Sequence, residues 1–76
     1  MVPQLLERIG MRHIDAELLI IRDSAMIGKS MVGCIYNDKA ARFQDGTLVT
    51  TSKVNSIEIT KEGAFVTTMN TVYKLV

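Results

Sequence analysis

At 76 residues and 8.4 kDa, the chain is long enough for one domain, residues 1–76, and too short for a second. Hydrophobic residues at 47% and charged residues at 22% make a globular composition and exclude a disordered one. Nine basic residues against eight acidic leave +1, too little for a protein that coats nucleic acid nonspecifically.

Cys34 is the single cysteine and His13 the single histidine, so neither an internal disulfide nor a zinc site is available, and no metal or cofactor is expected. The longest apolar run, Leu18 to Ile21, falls far short of the roughly 18 residues a membrane span needs. The opening Met-Val-Pro-Gln does not read as a signal peptide. These features predict a reduced, cytoplasmic domain with no membrane partner. A chain this small buries only about 60% of its unfolded surface. With a mean hydropathy of +0.19 and no disulfide to help, it is expected to bury further apolar surface as a homo-oligomer.

Pro3 opens an amphipathic stretch that Gly10 stops, with Leu5, Leu6 and Ile9 on one face; the pattern predicts a short N-terminal helix over 3–9. Residues 15–22 are apolar on both faces, which suits a buried strand or a short buried helix, and the pair Ile20-Ile21 favours strand. Residues 31–36 read as a strand between Gly28 and Asn37-Asp38. Asp45-Gly46 is a turn signal, followed by strands over 47–51 and 54–60. Lys61-Glu62-Gly63 is a hairpin-length loop, and strands over 64–69 and 71–76 complete the series. The expected fold is mainly β: five or six antiparallel strands in a meander or small barrel, with the short helix in front. The last of these strands, ending Lys74-Leu75-Val76, is expected at an unprotected edge that a partner subunit covers.

Three features tempt a catalytic reading. Gly28-Lys29-Ser30 resembles the end of a phosphate-binding loop, but Asp23 stands where that loop needs its first glycine. A plain turn is the better reading. His13 and Asp15 are spaced for acid–base work, yet no nucleophile accompanies them, and a polar histidine at the entry to a strand is the simpler account. Cys34 sits in an apolar strand without a basic neighbour in sequence, as an inert thiol does.

Thr50-Thr51-Ser52-Lys53 carries more. Hydroxyls, backbone amides and an ammonium at a strand end can hold a phosphate, and Arg42 beside Phe43 can add a guanidinium. The competing reading is an exposed threonine-rich strand with a charged turn. Asn70-Thr71-x-Tyr73 offers an amide, a hydroxyl and a phenol that suit a base or ribose edge, or equally a capped bulge and a core position.

Four segments stand in order: Gly33-x-Ile35-Tyr36-Asn37-Asp38, Arg42-Phe43-x-Asp45-Gly46-Thr47, Thr51-Ser52-x-Val54 and Thr68-x-Asn70-Thr71-x-Tyr73. Together they cover residues 31–76 and resemble small β-rich phage and prophage proteins. Within that group the chain is similar in style to the phage anti-Thoeris sponge family. The resemblance implies a β-rich oligomer that sequesters cyclic ADP-ribose-type or cyclic oligonucleotide immune signals without cleaving them. It places Arg42, Ser52, Lys53, Asn70 and Tyr73 near the ligand, and Thr51 joins them through the hydroxyl cluster. Sponge members carry helical sequence after the sheet, which residues 1–76 do not include.

The expectation is therefore a non-enzymatic anti-defence protein of the host bacterial cytoplasm that binds a cyclic nucleotide signal. Ranked below it are a protein–protein inhibitor of a host defence enzyme and a small barrel for RNA or single-stranded DNA. The four aromatic residues are dispersed and include no tryptophan, so the nucleic-acid module ranks third. An enzyme ranks last.

Overall fold

The computed structural model describes residues 13–69 and 71–76, and the helix expected over 3–9 lies outside them. Six strands follow in chain order: β1 (Ala16–Arg22), β2 (Ser30–Tyr36), β3 (Thr47–Lys53), β4 (Ser56–Thr60), β5 (Gly63–Thr67) and β6 (Val72–Leu75). They form one sheet in the order β3-β2-β1-β6-β5-β4. Residues 15–22, ambiguous by periodicity, are resolved as strand β1.

The architecture corrects the antiparallel meander in one pairing and the barrel in another. β1 and β6 run parallel, with Ala16 opposite Tyr73 and Leu18 opposite Leu75, so the sheet is mixed. The sheet is also open: β3 and β4 are its two edges. The C-terminal strand β6 is not an edge, because it lies between β1 and β5. The stretch 54–60 is no single strand either, since β4 begins at Ser56.

Only Val54 and Asn55 separate the two edge strands in sequence. Opposite edges of a six-stranded sheet meet over so short a link only if the sheet curls strongly. The link is pinned on both sides. Val54 pairs with Ile27 in an isolated parallel bridge, its carbonyl accepts the Gly28 N–H at 2.8 Å, and its N–H donates to the Lys29 carbonyl at 2.9 Å. The Asn55 N–H donates to the Thr67 carbonyl at 2.7 Å.

The curl gives the sheet an inner and an outer face. Ala16, Leu18, Met31, Ile35, Val54, Val66 and Tyr73 form the core on the inner side, with Ile20, Val49, Ile57 and Leu75 packed against it. The alternation of burial along β2 follows the pleat: Met31, Gly33 and Ile35 are buried, while Val32, Cys34 and Tyr36 between them are partly exposed. Gly33 is required by close approach. A Cβ there would lie 2.4 Å from the Leu19 carbonyl oxygen, beside the irregularity between Ile20 and Arg22 in the β1–β2 ladder.

Candidate functional site

The connection between β2 and β3, residues 37–46, is held shut at its base. The Asn37 N–H donates to Asp45 Oδ1 at 2.8 Å, and the Gly46 N–H donates to the Ile35 carbonyl at 2.7 Å. Gly46 has φ +88°, the left-handed value that the Asp-Gly signal anticipates. Midway, Asp38 organises the loop. Its Oδ2 accepts from the Arg42 N–H at 2.9 Å and from Arg42 Nε at 3.0 Å, and its Oδ1 accepts from Arg42 Nη2 at 3.1 Å. The Asp38 side chain is only 1% exposed, against 43% for Arg42. These contacts hold the Asp38 carboxyl below its ordinary range, first through the Arg42 side chain, and the same bond raises the Arg42 guanidinium.

The loop thereby presents Arg42 and Phe43 to the inner side of the curl. The Arg42 guanidinium carbon lies 5.7 Å from the centroid of the exposed Phe43 ring. Its charge also reaches Tyr73 on β6, where burial raises the phenol and the nearby Arg42 charge lowers it in part.

A cleft of about 350 Å³ opens here, lined by Arg42 and Phe43 from the loop, Val49 to Ser52 from β3, Thr68, Met69 and Thr71 from the β5–β6 connection, and Tyr73. Parts of the chain that are far apart in sequence meet in it because the curl brings β3 towards the end of β5. Six of its lining residues carry hydroxyls: Thr50, Thr51, Ser52, Thr68, Thr71 and Tyr73.

Of the residues expected at a ligand, Arg42, Thr51, Ser52 and Tyr73 line this one cleft. Lys53 does not line it; it ends β3 opposite Ser30, exposed to solvent. Asn70 lies outside the described residues. Thr51 is buried, and its hydroxyl accepts the Met31 N–H at 2.9 Å and donates to the Ser52 carbonyl at 2.7 Å, so it braces the floor of the cleft. Arg42 is not the free cation that the sequence implied, because Asp38 compensates its charge. The sequence reasoning gave Asp38 no role at the site. An acid four residues before the arginine was the available signal, read as a strand boundary and as part of the first quoted segment.

His13 and Asp15 do pair, with Nε2 and Oδ1 2.7 Å apart. The second carboxylate oxygen accepts the Val72 N–H at 2.8 Å, and this backbone bond is the first cause of the lowered Asp15 carboxyl. The Asp15 N–H in turn donates to the Val72 carbonyl at 2.8 Å, and its carbonyl accepts from Lys39 at 2.8 Å. Asp15 thus ties the start of β1 to β6 and to the loop that carries Arg42. Neither His13 nor Asp15 lines the cleft.

Comparison with family models, with curated proteins and with solved structures finds no match to this chain.

Proposed function

We propose that the protein is a non-enzymatic binder that sequesters a cyclic nucleotide immune signal in the inner cleft, as an anti-defence protein of a phage acting in the host bacterial cytoplasm. The observation that carries the binding reading is the convergence of Arg42, Phe43, Ser52, Thr71 and Tyr73, from three separate stretches of chain, on one concave surface. The sequence resemblance to sponge proteins supplies the ligand class.

The chemistry of the walls fits such a ligand. Phe43 offers a face for a base, and the hydroxyls of Ser52, Thr71 and Tyr73 match ribose hydroxyls and ring edges. Asp38 fixes the Arg42 fork in orientation and cancels most of its charge, so Arg42 acts as a directional donor more than as a phosphate trap. Ligand pockets run from about 300 to 1,000 Å³, so a cleft of about 350 Å³ takes one nucleotide unit. A larger cyclic ligand would engage a second copy, in keeping with a homo-oligomer.

Sequestration rather than turnover is supported by the position of the acid–base pair relative to the cleft. Groups that hold ground state and transition state alike give no catalysis, and the His13–Asp15 pair stands outside the cleft with its carboxylate bound to the β6 backbone. The test is calorimetric titration with cyclic ADP-ribose and with a cyclic dinucleotide, on the native chain and on Tyr73→Phe. The reading expects binding of one of them, weakened about tenfold by loss of the Tyr73 hydroxyl. No heat with either probe, or binding that Tyr73→Phe leaves unchanged, overturns it.

A further inference from the structure

Arg42 is the one cation among the described residues that line the cleft, and the carboxylate that holds it is closed off from solvent. Asp38 accepts from Nε and Nη2 of the guanidinium and from the Arg42 N–H. A charge compensated this closely has little field left for a second anion. The backbone is bent to make the pairing. Ala41, the residue before Arg42, has φ +55°, a left-handed conformation that alanine adopts only under constraint, and its N–H closes a turn onto the Asp38 carbonyl at 2.9 Å. The other described lining residues are uncharged. Among them Phe43 and Met69 are large apolar side chains left 42% and 72% exposed, and Ser52, Thr71 and Tyr73 supply hydroxyls.

We propose that Asp38 sets the specificity of the cleft: by occupying Arg42 it selects the uncharged nucleoside part of a ligand, base and ribose, and leaves phosphates to solvent. The inference rests on the binding reading of the cleft and narrows it. An exposed aromatic ring and a thioether hold a flat base by burial and dispersion, whatever charge the rest of the ligand carries. Hydroxyls on the protein both donate to and accept from ribose hydroxyls. A phosphate asks for a free positive charge or several converging N–H donors, and the guanidinium already has Nε and Nη2 committed to Asp38. Its remaining N–H groups still donate, to a neutral acceptor such as a ring nitrogen or a ribose oxygen. Two consequences separate this cleft from an anion trap. Its affinity is nearly independent of salt, since binding forms no new ion pair. A nucleoside also binds about as tightly as its monophosphate.

The test is calorimetric titration of the full chain with adenosine and with adenosine monophosphate, a pair that differs by one phosphate, at low and at high salt, repeated on Asp38→Asn. The native chain is expected to bind the two within about threefold of each other at both salt levels. Asp38→Asn keeps the side-chain shape, removes the compensating charge and sets an amide that can donate against a guanidinium that can only donate. Arg42 is thereby freed, and the variant is expected to prefer the monophosphate about tenfold at low salt and to lose that preference at high salt. A native chain that prefers the monophosphate tenfold or more at low salt overturns the proposal, and so does a folded Asp38→Asn, checked by circular dichroism, with the native preference. Where that variant does not fold, the native comparison decides alone. Binding of cyclic ADP-ribose with neither adenosine nor its monophosphate bound overturns the nucleoside selection and leaves the binding reading standing. Binding of none of the three, nor of a cyclic dinucleotide, overturns both.

Discussion

Leu18 and Leu19 are adjacent in the chain and occupy two different environments. Leu18, 0% exposed, sits among Met31, Ile35 and Val66, whereas Leu19 lies on the far side of the same strand with its nearest cross-strand neighbour a half-buried cysteine. The inner face is complete: its core is closed and its rim carries the hydroxyl-lined cleft. The outer face of β1, β2 and β3 has the same residue types, with Leu19 and Leu48 left exposed. The contrast teaches that strand pleating divides the apolar content of so short a chain between a packed side and an exposed one.

Substitution separates the two most sharply at that pair. Leu18→Ala should cost about 3 kcal/mol, since it opens a cavity in a core with little room to collapse. Leu19→Ala should cost well under about 1 kcal/mol in dilute protein, where that face is solvated. Urea unfolding of both variants checks the difference, and equal losses would remove the distinction between the faces.

A smaller effect is expected where the loop meets the cleft. As a solvent-directed cation, Arg42 would be dispensable for stability, and Arg42→Ala would cost well under about 1 kcal/mol. Because it covers the Asp38 carboxylate, we expect about 1–2 kcal/mol instead. Lys53→Ala, at an exposed position, should cost no more than about a few tenths of a kcal/mol. The double variant Asp38→Ala/Arg42→Ala should cost less than the sum of its parts, and thermal melts of the four proteins measure that coupling.

The mildest lever is acid. Asp15 and Asp38 both have lowered carboxyl values in the folded chain, Asp15 first through the Val72 N–H and Asp38 first through Arg42. Groups lowered on folding add stability that is complete above the unfolded value of about 3.8 and is lost as pH falls through the lower folded value. Melting temperature should therefore hold down to about pH 5 and fall below pH 4. Asp15→Asn should flatten that fall, and a variant that falls as steeply as the native chain would contradict the assignment.

The strands were largely legible in the sequence because β2 and β3 follow β-rich runs bounded by Gly, Asn and Asp, and their ends moved by at most two residues. The β4–β5 hairpin was legible from Lys61-Glu62-Gly63. The pairing of β1 with β6 was not, since parallel neighbours more than fifty residues apart leave no local signal. The open sheet escaped for a related reason: whether the edge strands β3 and β4 pair depends on long-range geometry, and periodicity is blind to it. At the site, the hydroxyl cluster and Tyr73 could be read as polar groups without strand assignments to carry them. The state of Arg42 could not, because its charge is set by a carboxylate held through loop geometry. Lys53 looked continuous with Ser52 in sequence and left the cleft only because β3 ends there against Ser30.

The central claim is that the inner cleft holds a nucleotide-type ligand without altering it. The most direct measurement is to load the protein with cyclic ADP-ribose, or with the cyclic dinucleotide if that is the one that binds, remove the excess, denature by heat and analyse the released molecule by chromatography. The account predicts the intact cyclic compound, in amounts that fall sharply for Tyr73→Phe. A linearised or cleaved product would contradict it and make the protein an enzyme, with His13 and Asp15 as the first residues to change.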